Sequence, residues 1–158
     1  MKLTFGFGTG VQEVELPEKN LIGELHANEV PHELEGAAEV KRALEHPIGA
    51  PLLKDVVRPG EKVAVITSDI TRPMPSYVVL PVLLDALYEA GIRKEDITVV
   101  FGLGSHRRQT PEEMKKLVGE RAFAEVACVD SDPDDCVHMG TTKMGTPVDV
   151  TRVVADAE

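Results

Sequence analysis

The middle of the chain alternates between short apolar runs and stretches with apolar residues at helical spacing. Residues 62–68 (KVAVITS) are rich in β-branched side chains, which is typical of a buried strand. Residues 77–91 (YVVLPVLLDALYEAG) predict a helix that ends near Gly91. A second strand is predicted at 96–104 (DITVVFGLG) and a second helix at 110–126 (TPEEMKKLVGERAFAEV). This order predicts a parallel βαβ unit with a right-handed crossover.

Local signals extend this pattern on both sides. Thr110 is suited to cap the second helix, Pro111 suits its first position, and Glu113 completes a capping box. Residues 3–16 and 136–150 alternate around glycine-containing turns and predict two hairpins. Two further helices are predicted at 35–46 and 51–57. The predicted fold class is therefore α/β, a Rossmann-like sheet with a parallel βαβ core and peripheral hairpins, with residues 1–158 as one domain.

Two polar loops follow the two predicted parallel strands. The loop SDITRPMPS (68–76) comes after the first strand, and GSHRRQT (104–110) comes after the second. The loops that follow neighbouring parallel strands emerge at the same edge of a sheet, where ligands bind in folds of this class. We therefore expect the two loops to face the same crevice.

The first loop carries the elements of an anion site. The guanidinium of Arg72 suits a carboxylate or a phosphate, and the start of the following helix adds partial positive charge. Asp69 is placed to orient Arg72 or to accept hydrogen bonds from ligand hydroxyls. The alternative is an ordinary turn, in which Asp69 caps backbone N–H groups and Arg72 is solvated.

The second loop adds a candidate acid or base. Gly104 permits close approach of the backbone to a ligand, His106 can transfer protons near neutral pH, and Arg107 adds positive charge. The segment is not a dinucleotide fingerprint, because Arg107 stands where the last glycine is required. An inert, exposed loop histidine is the alternative. Together, two arginine-bearing loops at adjacent strand ends favour an anion-binding crevice.

Other clusters are weaker candidates. The acidic run 130–135 (DSDPDD) has Asp135 where a calcium loop needs glycine and Thr141 in place of its glutamate, so we interpret the run as a solvated turn. Cys136 and His138 are too few for a metal site, and we assign no metal ligands to this chain.

Composition argues against several classes of function for this chain. The formal net charge is −10, which argues against binding to nucleic acid or to an anionic membrane surface. No stretch is long and apolar enough to span a bilayer. Two cysteines do not form a disulfide framework, so a cytoplasmic location is the simplest interpretation.

Three segments in this order resemble one known family. SDITRPMPS, GLGSHRRQTPEE and GTTKMGTPVDVTRVVADAE, preceded by ALEHPIGAPLL, are similar to the N-terminal domain of the nickel-dependent lactate racemase family. The resemblance covers the chain from about Leu44 to its end. It implies a racemase or epimerase of 2-hydroxy acids that works by hydride transfer through a nickel-pincer nucleotide.

The resemblance also implies roles for individual residues. His106 matches the histidine of the G-x-H-R motif, which takes the proton of the substrate hydroxyl. Asp69, Thr71 and Arg72 match the D-x-T-R-P loop, which contacts the cofactor or the substrate. These three residues, together with Gly104 and Arg107 of the second loop, are the predicted binding residues for the cofactor or the substrate.

The chain departs from the family in what it lacks. The family's second catalytic histidine, the lysine that tethers the cofactor and the nickel-ligating histidine follow the segment matched by VVADAE. We therefore expect a fragment of a larger two-domain enzyme, inactive alone, whose partners are a small 2-hydroxy acid and the missing C-terminal portion. A non-catalytic module that binds a small phosphate or carboxylate is the alternative, and a structural or interaction domain is a third.

Overall fold

Seven strands and five helices run through the residues that the computed structural model describes, 1–72 and 74–157. The strands are β1 (Lys2–Phe7), β2 (Gly10–Glu15), β3 (Val63–Ser68), β4 (Ile97–Gly102), β5 (Ala127–Asp130), β6 (Cys136–Thr141) and β7 (Pro147–Thr151). The helices are α1 (Gly36–Glu45), α2 (Leu53–Val56), α3 (Ser76–Glu89), α4 (Pro111–Glu125) and α5 (Arg152–Ala155), with 3₁₀ turns at Glu18–Asn20 and Lys94–Asp96.

The chain divides into two compact units, Met1–Glu33 and Leu34–Glu158. In the first unit, β1 and β2 form the predicted antiparallel hairpin, with Phe7 opposite Gly10 at the turn. Leu16 donates its backbone N–H to the Met1 carbonyl, which extends the hairpin by one further bond of 2.9 Å. That residues 1–158 form a single domain stays a prediction.

The second unit is organised around a parallel sheet with the strand order β3-β4-β5. Val63 pairs with Ile97 at one end and Ser68 with Gly102 at the other, so the two predicted strands end at the same level. The third strand, β5, was not among the predicted elements. It has only four residues and follows α4 with no glycine, proline or polar break, so local pattern does not separate it from the helix.

The hydrophobic core lies between this sheet and two helices. Alternate residues of β4, Ile97, Val99 and Phe101, are fully buried against one group of apolar side chains from α3 and α4. Because successive strand residues point to opposite faces, this alternation places both helices on the same side of the sheet. The helical side chains in the cluster are Leu80, Leu84, Leu87, Leu117, Val118 and Ala122. The predicted βαβ core is confirmed.

Helix α4 begins as its sequence predicts. Thr110 accepts a hydrogen bond from the Glu113 N–H, and the Glu113 carboxylate accepts one from the Thr110 N–H, which completes the capping box. A break inside the helix was not predicted. Gly119 has φ +83°, and a Cβ built there would lie 3.4 Å from the Cβ of Tyr77, so a glycine suits both the backbone and the close approach to α3.

The remaining elements complete the predicted α/β class. β6 and β7 form the second antiparallel hairpin, with an irregular register between His138 and Gly140. The predicted helices at 35–46 and 51–57 correspond to α1 and α2. The end of the chain, for which no element was predicted, contains the short helix α5. No helix in residues 1–72 and 74–157 combines the length and apolarity that crossing a membrane requires.

Candidate active site

A histidine and an aspartate from the two predicted loops meet at the carboxyl ends of β3 and β4. The Nδ1 of His106 is hydrogen-bonded to the Oδ2 of Asp69. The side chain of Asp69 is 3% exposed, whereas that of His106 is 43% exposed. The pair therefore has a buried carboxylate behind a partly exposed imidazole. This confirms that the two loops lie on one edge of the sheet.

Thr71 completes the environment of the carboxylate. Its hydroxyl donates a hydrogen bond of 2.6 Å to the Asp69 Oδ1, and its backbone N–H donates one of 3.1 Å to the same oxygen. The hydroxyl bond from Thr71 is the largest cause that lowers the pKa of Asp69, and with the bond from His106 it outweighs the effect of burial. Asp69 is therefore ionised at neutral pH and accepts the Nδ1–H of His106.

A tight turn after β4 carries His106 back to Asp69. The His106 N–H donates to the Leu103 carbonyl at 3.0 Å, which closes a turn with Gly104 and Ser105 at its centre. Gly104 has φ +57°, and no residue other than glycine has a positive φ in the part of the chain that the structure describes. A positive φ is strained for a residue with a Cβ, so glycine is favoured at this position of the turn.

The cations of the two loops differ in their pairing. Arg107 forms two hydrogen bonds with the Glu113 carboxylate, at 2.8 and 2.7 Å, and Arg108 pairs with Asp132 at 2.9 Å. Arg72 is exposed, and its guanidinium has no hydrogen-bonding or ionic partner among residues 1–72 and 74–157. Arg107 is thus engaged in holding the start of α4, while Arg72 is available to an anion.

One of the two roles considered for Asp69 was to orient Arg72, but its carboxylate is paired with His106 instead. Its carboxylate orients His106, while the backbone N–H of Arg72 donates to the Asp69 carbonyl at 3.1 Å. All the hydrogen bonds of that carboxylate come from Thr71 and His106 in the described chain. Direct contact of Asp69, Thr71, Gly104 or Arg107 with a ligand stays a prediction.

Two residues of this site were missed by sequence reasoning. Gln109 is 8% exposed, and its side chain bridges the Ile70 N–H and the Asp130 carboxylate. Asp130 had been assigned to a solvated acidic turn, but it is the last residue of β5. The signal that could have identified them is the third parallel strand, whose end must join the same sheet edge.

Other reactive side chains lie outside this cluster. Burial raises the pKa of Cys128 to about 11, so its thiol is protonated and poorly nucleophilic at neutral pH. His138 pairs with Asp149 at 2.7 Å in the second hairpin, where both side chains are more than half exposed. No group of three or more His, Cys, Asp and Glu side chains within the described residues could hold a metal ion.

Comparisons with known proteins agree with this fold. The family model of the lactate racemase N-terminal domain matches residues 7–158. The lactate racemase of Thermoanaerobacterium thermosaccharolyticum is 30% identical over 157 residues, which cover 96% of this chain and 37% of that protein. The lactate racemase of Lactiplantibacillus plantarum is 28% identical over 149 residues, which cover 91% of this chain and 35% of that protein.

A solved structure shows the same fold. The lactate racemase apoprotein from Thermoanaerobacterium thermosaccharolyticum superposes with a TM-score of 0.83 at 29% identity, covering all of this chain and 37% of that one. A Thermotoga maritima protein superposes with a TM-score of 0.53 at 26% identity, covering 67% of this chain and 24% of that one.

The fold and the site define an α/β protein with a histidine–aspartate pair at the carboxyl edge of a parallel sheet. The chain belongs to the lactate racemase N-terminal domain family. It spans between a third and two fifths of the length of the curated relatives that it matches.

Proposed function

We propose that this chain is the N-terminal part of a 2-hydroxy-acid racemase or epimerase similar to lactate racemase, in which His106 transfers the proton of the substrate hydroxyl. The observation that supports the proposal is the buried, ionised Asp69 behind the open imidazole of His106. A general base needs a fixed orientation toward the substrate, and the hydrogen bond to Asp69 provides it.

The proton transfer follows from the geometry of the pair. Because the Nδ1–H of His106 donates to Asp69, the lone pair of the neutral ring lies on Nε2, which faces away from the carboxylate. A substrate hydroxyl within hydrogen-bond distance of Nε2 gives its proton to that atom. The imidazolium that forms is stabilised by the adjacent carboxylate, and the same proton returns to the oxygen when the product is formed.

Arg72 is the residue that we propose to bind an anionic group. Its guanidinium is exposed and has no partner in the described chain, and it precedes α3 by a few residues. Two parallel N–H donors match the carboxylate of a 2-hydroxy acid, and they also match a cofactor phosphate. Binding of that anion beside His106 positions the substrate hydroxyl for proton transfer.

The residues present fit one part of a nickel-pincer nucleotide. An unpaired guanidinium at the edge of the sheet suits the anionic groups of a nucleotide, with Arg72 as the residue that would hold them. The described residues contain no cluster of metal-ligating side chains, so we assign no nickel ligand to them. When bound, such a cofactor would supply hydride-acceptor chemistry at the α-carbon of the substrate.

The catalytic proposal is tested by replacing His106. A chimera joins this chain to the part of the Thermoanaerobacterium thermosaccharolyticum lactate racemase that the match does not cover, and isomerisation of L- and D-lactate is measured after cofactor loading. His106→Ala should lower kcat by about 10²–10⁴-fold, the usual contribution of general acid–base catalysis. His138→Ala is the matched control, since His138 is also paired with an aspartate, and it should leave kcat unchanged. Equal rates in the two variants would exclude His106.

A second candidate function is anion binding without catalysis, which the unpaired Arg72 favours. Isothermal titration of this chain with lactate, inorganic phosphate and a mononucleotide measures the affinity for each anion. Arg72→Ala should abolish the binding, and Arg152→Ala should not, because Arg152 is held by Asp135 at 2.8 Å. Binding that depends on Arg72, together with a chimera whose His106→Ala variant is fully active, would favour the binding module over the racemase.

A further inference from the structure

Gln109 lies at the carboxyl edge of the parallel sheet, beside the ends of its three strands. Its side chain is nine-tenths buried, with 8% of the residue exposed. The Oε1 atom accepts the Ile70 N–H at 2.8 Å, and the Nε2 atom donates to the Asp130 Oδ1 at 3.1 Å. Its backbone N–H donates to the other oxygen of Asp130 at 2.8 Å. One residue thus joins the loop after β3, the loop after β4 and the end of β5.

The chemistry of these partners requires an amide at this position. The Ile70 N–H needs an acceptor, whereas the Asp130 carboxylate needs a donor, and the two lie at opposite ends of the Gln109 amide. An apolar side chain of the same size would leave the Ile70 N–H without an acceptor and would leave the Asp130 carboxylate with only the backbone N–H of residue 109 as a donor. A glutamate would satisfy Ile70 but would place a second carboxylate against Asp130. Glutamine satisfies both partners without a net charge of its own.

The Gln109 amide also forms a second connection between the two loops that carry Asp69 and His106. Ile70 follows Asp69 directly in the chain, and Gln109 is three residues from His106. The two loops are therefore joined at His106, which is hydrogen-bonded to Asp69 and lies 3.5 Å from the Thr71 hydroxyl, and again by the hydrogen bond between Gln109 and Ile70. Asp130 pairs with Phe101 in the sheet, so the second link is anchored to the rigid part of the fold.

We propose that Gln109 is a positioning residue for His106. Its amide fixes the loop after β4 against the loop after β3. Nδ1 of His106 thereby stays hydrogen-bonded to Asp69, and Nε2 faces the ligand. The inference rests on the proposed function only for its effect on turnover. The hydrogen bond between His106 and Asp69 can be measured in this chain without cofactor or substrate.

The test uses the tautomer of His106 as its readout. Nitrogen-15 NMR of histidine-labelled chain distinguishes Nδ1–H from Nε2–H imidazole, and the signal that disappears in His106→Gln assigns the resonance among the five histidines. In the parent chain His106 should be the Nδ1–H tautomer. Gln109→Glu should convert it to a mixture, because repulsion between two carboxylates separates the loops. Gln12→Glu is the matched control, on an exposed hairpin residue, and should change nothing.

A second substitution turns the loss into a rescue. In Gln109→Glu combined with Asp130→Asn, the carboxylate at 109 accepts from Ile70 and from the new amide, whose oxygen accepts the backbone N–H of residue 109. All three hydrogen bonds are restored with the charges exchanged and the net charge unchanged. The double variant should regain the Nδ1–H tautomer. A variant that is destabilised elsewhere, Leu84→Ala in the hydrophobic core, should keep that tautomer despite its lower stability.

The outcomes separate this inference from the proposed function. If the tautomer of His106 is the same in Gln109→Glu as in the parent chain, or if the double variant fails to restore it while remaining folded by circular dichroism, Gln109 is not a positioning residue. If the tautomer changes and is rescued as expected, the inference stands. In the chimera, Gln109→Glu should then lower kcat by about 10²-fold, the size of effect that follows from a small misplacement. An unchanged kcat together with a changed tautomer would overturn the role of His106 and leave that of Gln109 intact.

Discussion

Replacing Gly104 by alanine tests how the turn after β4 supports the site. Gly104 has φ +57°, and a Cβ built there meets no heavy atom within 4 Å apart from its chain neighbours. The substitution therefore introduces no clash, and its cost is that of holding an L-residue in a left-handed backbone conformation, about 1–2 kcal/mol. For a domain of this size, that cost lowers the Tm by roughly 2–8 °C.

A second glycine of the same kind isolates the effect on the site. Gly49 has φ +66° and is equally open, so Gly49→Ala should lower the Tm by a similar amount. Only the Gly104→Ala variant should also disturb the Nδ1–H tautomer of His106, because Gly104 and His106 share one turn. Thermal unfolding followed by circular dichroism gives the Tm, and nitrogen-15 NMR gives the tautomer. An unchanged Tm in Gly104→Ala, or an unchanged tautomer despite the lower Tm, would refute the reasoning.

Two further predictions concern stability. Leu84 is fully buried between α3 and the sheet, so Leu84→Ala should lower the free energy of unfolding by about 2–5 kcal/mol in urea titrations. The same change at the fully exposed Leu25 should alter the free energy of unfolding by no more than about 0.5 kcal/mol. The pKa of Glu113 is lowered to about 2, and the hydrogen bonds from Arg107 are the largest cause. The Glu113 carboxylate therefore stabilises the fold above pH 4.5, and this contribution is lost as the pH falls toward 2. Glu113→Gln keeps an acceptor for the helix cap but removes the charge, so its stability should fall less steeply than that of the parent chain over this range; parallel pH curves would contradict the assignment.

The secondary structure was predictable where a local pattern specifies it. The strands β3 and β4 are apolar runs, and α4 begins at Thr110 with a capping box whose partners lie within three residues of each other. Such signals depend only on neighbouring residues. Strand β5 was missed because its four residues carry no break from α4. The interruption at Gly119 was also missed, and the residue that a side chain there would approach, Tyr77, is 42 positions away in the sequence.

The candidate site was predictable in its location and less so in its pairing. The order of strands and helices determined that the loops containing Asp69 and His106 share one edge, because the loops after neighbouring parallel strands always do. Which cation stays free was not predictable from the loops themselves. Arg72 and Arg107 have the same chemistry, and only the start of α4 places Glu113 beside one of them.

The sequence by itself determined the α/β class, the two hairpins, the family resemblance and the two loops that carry the candidate residues. These features follow from periodicity, caps and short motifs, which are encoded within a few residues of each other. Only the tertiary structure decided that Asp69 orients His106 and that Gln109 bridges Ile70 to Asp130. Hydrogen bonds between side chains far apart in sequence depend on distances and angles of a few tenths of an ångström, which no local pattern specifies.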